Sequence, residues 1–359
     1  MQSPRAARPL ASPGSTVTIK QLAEALGVSI TTVSRALNGY SDVGEATRSR
    51  VVEAAQRMGY RPNRNAQRLV TRKTHAVAWV QADNDRKFVD PHFVEVMAGV
   101  LRGARSAAYD IVLTSDTPEH ELDVYDRYVN DNSVDGFILD LPREDDPRIS
   151  YLLERGRPFV VHGRESRHGR YGWVDVDNYG NFYKLARLMV ANGHRRIAFI
   201  NGDERYTYAL YRRRGVADAI ADLGMPEQAV SYFAAHHPMG DAGLALTSKA
   251  LEDEAVTAII YSSTLMAMES HPAIQRSGRA LSVATMDDEL HYLNLSPFGA
   301  MISFVRSSLR DAGVALIGEL LRQCDTGGGP RGKLIPSTFS IVPGLREESL
   351  ALPLPPHRL

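Results

Sequence analysis

The chain of 359 residues contains one cysteine, Cys324, and two tryptophans. A single thiol rules out an intramolecular disulfide framework and suits a reducing compartment, the cytoplasm. No run of about 18 apolar residues occurs, so no transmembrane helix is expected. Residues 1–16 lack the apolar stretch a secretory signal needs and, rich in Pro, Ala and Ser, read as a disordered tail. Net charge is missing too: 42 Lys and Arg balance 42 Asp and Glu. At 43% hydrophobic residues the composition is that of an ordinary globular protein, long enough for more than one domain.

The balance of charge hides an asymmetry. Up to His75 there are twelve Lys and Arg against four Asp and Glu, a net of +8, and the remainder carries −8. A basic head on an acidic body implies that only the head meets a polyanion. Within that head, Thr18-Ile19-Lys20-Gln21 has the form of a capping box. Ile19, Leu22, Ala23 and Leu26 then recur at helical spacing, and Gly27 stops the helix. Ser29 caps a second helix over 30–37, ended by Asn38-Gly39. A third runs over 45–58, capped weakly by Gly44, with Val51, Val52, Ala55 and Met58 facing inward. Two short helices around a tight glycine turn, completed by a third, form the helix-turn-helix pattern. Its second helix would enter the major groove and present Ser29, Ile30, Thr31, Thr32, Ser34, Arg35 and Asn38 to bases or phosphates. Arginine can pair bidentately with guanine, and apolar groups can touch thymine methyls. Val33 and Leu37 should pack inward.

These stretches resemble the N-terminal signature of the LacI (lactose-repressor-like) family. The similar residues are Val17-Thr18-Ile19 to Leu22-Ala23, Gly27-Val28-Ser29, Thr32 to Asn38, and Gly59-Tyr60-Arg61-Pro62-Asn63. The resemblance implies an all-α DNA-binding domain over 17–61 and a hinge over 62–74. It also implies a two-lobed α/β sensor like a periplasmic binding protein over 75–345, and a tail over 346–359. The hinge helix of the family folds on operator DNA and enters the minor groove in pairs from two subunits. By resemblance Asn63, Arg64, Ala66 and Leu69 take that role, Leu69 as the wedge between base steps. A helix so short is marginal alone in water.

Beyond residue 75 apolar runs alternate with helical stretches. Strands are predicted at 76–80, 111–115, 136–139, 159–162, 173–176, 197–200, 258–261, 283–286 and 301–304, with helices at 93–107, 179–192, 208–223 and 309–323. Such alternation implies parallel sheets covered on both faces, and there are too many units for one sheet. Ligands of such sheets bind in loops beyond the carboxyl ends of the strands. By position along the family pattern the effector cleft takes His92, Phe93, His162, Arg164, Tyr206, Tyr208, Arg212, Ser263, Asp287 and Phe304. Arginine and aspartate serve hydroxyls as donor and acceptor, and aromatic faces suit a sugar ring. Gly163 stands where other family members often carry aspartate, and Ser263-Thr264 replaces a common Asn-Asp pair.

Other signals point away from catalysis and metal. His236-His237 has no acidic or cysteine partner at ligand spacing, 326–330 is glycine-rich without a following Lys-Ser/Thr, and no Gly-x-Ser-x-Gly elbow occurs. No cofactor is expected. The reading is a homodimeric, cytoplasmic repressor on double-stranded operator DNA, with no membrane partner, released by a small molecule, with a sugar as the expected inducer. A corepressor-dependent regulator binding a nucleobase or other metabolite, a sugar-binding receptor, and an enzyme on the same scaffold stand as alternatives.

Overall fold

The structure, a computed structural model, describes residues 17–37, 39–60, 73–82, 89–117 and 119–351. The chain divides into two units, Met1–Thr74 and His75–Leu359.

In the first unit lie α1 (Ile19–Leu26), α2 (Ile30–Leu37) and α3 (Glu45–Met58). The capping box at the start of α1 is formed: the Thr18 hydroxyl accepts from the Gln21 amide, and the Gln21 side chain accepts from the Thr18 amide. Gly27 ends α1 at φ 65°, a left-handed conformation that glycine adopts without strain. Leu22, Ala23, Val33, Ala36, Val51, Ala54 and Ala55 make the core, with Leu37 and Met58 packed against it. Val52 departs from the expected inward face and is 37% exposed. The apolar stripe of α3 runs through 51, 54, 55 and 58, the i, i+3, i+4, i+7 set, and residue 52 stands about 100° round the helix from it.

The second unit holds β1 (Ala76–Ala82), β2 (Asp110–Asp116), β3 (Gly136–Asp140), β4 (Phe159–His162), β5 (Gly172–Val176), β6 (Ile197–Asn201), β7 (Val230–Ala234), β8 (Ala258–Tyr261), β9 (Ser282–Asp287), β10 (Ile302–Arg306), β11 (Gly332–Ile335) and β12 (Thr338–Ser340). Its helices are α4 (Pro91–Ser106), α5 (Glu121–Asn130), α6 (Pro147–Glu154), α7 (Asn178–Ala191), α8 (Thr207–Asp222), α9 (Ala242–Ala250), α10 (Thr264–Glu269), α11 (His271–Ser277) and α12 (Leu309–Thr326). The strands form two six-stranded sheets, in the orders β11-β5-β4-β3-β1-β2 and β12-β10-β9-β8-β6-β7. Every pairing is parallel except β10 with β12. Their runs of buried residues fit sheets covered on both faces.

The chain crosses from the first sheet to the second after β5 through α7, returns after β10 through α12, and crosses again between β11 and β12. The Asn181 side chain on α7 donates to Ser337 Oγ at 2.9 Å, tying the first crossover to the third. The nine sequence-predicted strands all occur, seven of them longer by one or two residues. Strands β7, β11 and β12 and helices α5, α6, α9, α10 and α11 were not among the predicted elements. α4 starts at Pro91 rather than 93, because Asp90 caps it, accepting from the His92 amide, and proline suits the first turn. Among the described residues no helix is long and apolar enough to cross a membrane.

Candidate functional site

On α2 the residues divide by face. Val33 and Ala36 are buried, whereas Ser29, Ile30, Thr31 and Arg35 are exposed and Thr32 and Ser34 half-buried. Ser29 caps the helix: its hydroxyl accepts from the Thr32 amide at 3.0 Å and lies 2.8 Å from the Thr32 hydroxyl. Ile30, at 46% exposure, is an apolar side chain in water at the start of the helix. The Arg35 guanidinium pairs with Asp42 at 2.7 Å and stands 5.0 Å from the Tyr40 ring, two neighbours that sequence reasoning missed. Asn38, Asn63, Arg64, Ala66 and Leu69 lie outside the described residues.

In the second unit a cavity of about 200 Å³ opens at the carboxyl ends of both sheets. The first sheet supplies Asp90 and His92 after β1, Leu141 and Pro142 after β3, His162 and Gly163 at the end of β4, and Asp175 at the end of β5. The second supplies residues 203, 205–208 and 212 after β6, 236–239 after β7, Ser262 and Ser263 after β8, and Asp288 after β9. Six expected residues therefore line it: His92, His162, Tyr206, Tyr208, Arg212 and Ser263. Gly163 has φ 102°, and a Cβ there would come within 2.9 Å of the Pro142 ring. Both the left-handed backbone and the lack of room therefore favour glycine at this position.

Four expected residues do not line the cavity. Phe93 is buried at 5% exposure, its ring 5.1 Å from Trp79, because the helix that turns His92 to the cleft turns its neighbour to the core. Phe304 is fully buried among Ile259, Tyr261 and Met266 in the second lobe's core. Asp287 pairs with Arg306 at 3.0 Å and accepts from the Glu289 amide, and it is Asp288 that lines the cavity. Arg164 sits behind the wall, its Nε 3.3 Å from Asp175 Oδ2 and its guanidinium 4.8 Å from the Trp173 ring.

Arg212 is held firmly. Its Nε donates to Asn178 Oδ1 at 2.8 Å, its Nη1 donates to the Ser262 carbonyl, and the rings of Phe182 and Tyr208 lie 4.9 and 5.0 Å from the guanidinium. On the same cavity wall, His92 stands between Asp90, at 2.8 Å, and Asp288, at 3.4 Å. Burial works against a charge on His92, but hydrogen bonds and attraction from Asp288 and Asp90 outweigh it and raise its pKa to about 10. Burial pushes Asp175 up to about 7, with Arg164 pulling the other way. Asp175, Ser262, Thr207 and Asp288 were missed by sequence reasoning. Asp175 is a buried polar residue in a strand run that is otherwise apolar and mostly buried, and that polarity would have marked it.

Known proteins bear on both units. Residues 18–63 match the model of bacterial regulatory proteins of the lacI family, and residues 74–296 match that of periplasmic binding proteins and the sugar binding domain of the LacI family. The HTH-type transcriptional regulator AglR of Rhizobium meliloti (strain 1021) is 41% identical over 86% of this chain and 89% of its own. The chain belongs to the LacI family. A second relative within it, the HTH-type transcriptional regulator RafR of Escherichia coli, is 31% identical over 91% of this chain and 98% of its own. Among solved structures, the transcriptional regulator CelR–cellobiose complex matches with a TM-score of 0.65 at 26% identity, over 90% of this chain and 98% of that one. The lac repressor dimer bound to operator and the anti-inducer ONPF shares the fold, with a TM-score of 0.76 at 20% identity over 91% and 98%. This LacI-family protein is accordingly a DNA-binding transcription regulator, with a helix-turn-helix head and a two-sheet sensor body.

Proposed function

We propose that this protein is a repressor that a sugar releases from its operator. The observation that carries the reading is the cleft: Arg212, fixed beside two aromatic rings, faces carboxylates across a cavity at the carboxyl ends of both sheets. That combination serves hydroxyl groups and a ring face together. The CelR relative's complex with cellobiose supports the ligand class.

In this reading a homodimer in the cytoplasm binds a pseudo-palindromic site. Two copies of α2 read successive major grooves, and the segments around Asn63, Arg64, Ala66 and Leu69 meet in the minor groove between them. His92, His162, Tyr206, Tyr208, Arg212 and Ser263 hold the effector. The sugar shifts the protein between two states only by the difference in its affinity for them. It acts as inducer rather than corepressor, and the protein binds it without turning it over. The test is selection of bound sequences from random duplexes, followed by competition with and without sugars. One enriched palindromic site, lost on adding a sugar, is the expected result. Equal binding to all duplexes at moderate salt would remove the DNA reading, and a site that no sugar weakens would remove the inducer.

A further inference from the structure

The cleft wall contains buried polar atoms with no hydrogen-bond partner in the protein. They are Asp175 Oδ2, Ser262 Oγ and Thr207 Oγ1, on residues 4%, 1% and 1% exposed. Buried polar groups in folded proteins are nearly always partnered, so such atoms on a cavity wall mark where a bound molecule completes the bonding. Asp175 comes from the first sheet, and Thr207 and Ser262 follow strands of the second, so one ligand between the lobes could reach all three.

The rest of the carboxylate is already committed. Asp175 Oδ1 accepts from the Val176 amide at 2.8 Å and from Asn178 Nδ2 at 2.9 Å. Oδ2 has Arg164 Nε at 3.3 Å as a counter-charge, outside hydrogen-bonding alignment. Arg164 is itself fixed over Trp173 behind the wall, so it steadies the carboxylate without being offered to a ligand. Elsewhere on the wall, Asp203 is engaged by Arg205, and Asp90 and Asp288 flank His92. An ionised carboxylate only accepts hydrogen bonds, so Oδ2 calls for a donor. A hydroxyl supplies one. A phosphate or carboxylate group there would meet like charge in a desolvated site.

We propose that Asp175, positioned by Arg164, accepts a hydrogen bond from an effector hydroxyl and restricts the cleft to neutral polyhydroxylated ligands, against sugar phosphates and sugar acids. The proposal rests on reading the cleft as a sugar site and names the subclass it takes. Thr207 and Ser262, whose hydroxyls both donate and accept, serve neighbouring ligand oxygens.

The test is calorimetric titration of the full-length protein at pH 8.5, above the value of about 7 to which burial lifts Asp175, so that its carboxylate is ionised. The probes are cellobiose, maltose, sucrose, lactose and trehalose, beside glucose 6-phosphate, trehalose 6-phosphate and gluconate. At least one neutral sugar should bind, with every anionic probe weaker. D175N should weaken the neutral ligand about 10- to 100-fold, the loss typical of a hydrogen bond to a charged group. It should also narrow the gap to the phosphates, which a merely structural role for Asp175 would not do. Neutral sugars that bind D175N and wild type alike, or phosphates that bind wild type as tightly, would overturn the proposal and leave the sugar site standing. Failure of every probe would overturn the sugar site itself. If D175N does not fold, the wild-type preference for neutral over anionic probes, with loss of affinity in S262A, decides the matter.

Discussion

At the scale of single residues, the reading surface depends on Arg35. Its partner Asp42 is 53% exposed, and an ion pair so exposed contributes little, so DNA can take over the guanidinium at small cost. Arg35→Ala should therefore cost about 1–3 kcal/mol of operator binding and relax the preference at one base pair per half-site, measured by competition between site variants. An equal loss on every sequence would make Arg35 a phosphate contact instead. Residue identities in the cleft were only partly legible. The position of Arg212 could be read from the sequence, as could His92, but adjacent residues were confused where only backbone direction separates them. Asp287 is the last residue of β9 and Asp288 the first beyond it, and neighbours along an extended chain point to opposite sides. Nothing in the sequence says which one faces the ligand. Phe304 suited a sugar ring by type, yet a strand buried on both faces leaves no mark of which face is the cleft.

At the scale of elements, the helices and central strands were legible because caps and apolar periodicity specify them locally. Strands β11 and β12 were not, since their residues are mostly exposed and carry no alternating apolar pattern. Their place comes from pairing at the sheet edges beside β5 and β10, which is set by the crossovers. Helix contact also escaped the sequence. α4 and α12 touch backbone to backbone at Gly99 and Gly313: a Cβ on Gly99 would fall 2.1 Å from the Arg310 carbonyl oxygen. Gly103, one turn along, would press on the Ile317 side chain, at 2.3 Å, with the nearest backbone atom at an ordinary 3.8 Å. A stiff, buried isoleucine yields by small shifts of side chain and core, whereas a helix carbonyl yields only if the helix moves. Gly99→Ala should thus destabilise by about 1–3 kcal/mol, more than Gly103→Ala, in paired thermal melts. Equal melting temperatures for the two variants would mean that the helix pair slides freely.

At the scale of the whole sensor body, the two lobes are tied together across the cleft. His92 on α4 reaches Asp288 of the second lobe at 3.4 Å, and Glu95 on the same helix accepts from the His291 amide at 3.1 Å. On the other rim the Thr207 amide donates to the Pro142 carbonyl at 3.0 Å, and the Tyr211 hydroxyl donates to Glu144 at 3.0 Å. The strength of the His92 link depends on a proton on the imidazole. The pKa of His92 rises from 6.5 unfolded to about 10 folded. Its contribution to stability is therefore complete below 6.5 and disappears as pH climbs through 10, because only the protonated imidazole attracts Asp90 and Asp288 together. His92→Gln should lower the melting temperature most at the acid end of that window. The deficit against wild type should shrink toward zero at the alkaline end. Asp175, whose pKa is also displaced, to about 7, titrates in both proteins and cancels from the difference. A deficit that stays constant across the window would show that His92 holds the lobes by shape and not by charge, and effector binding would then meet no electrostatic latch to displace.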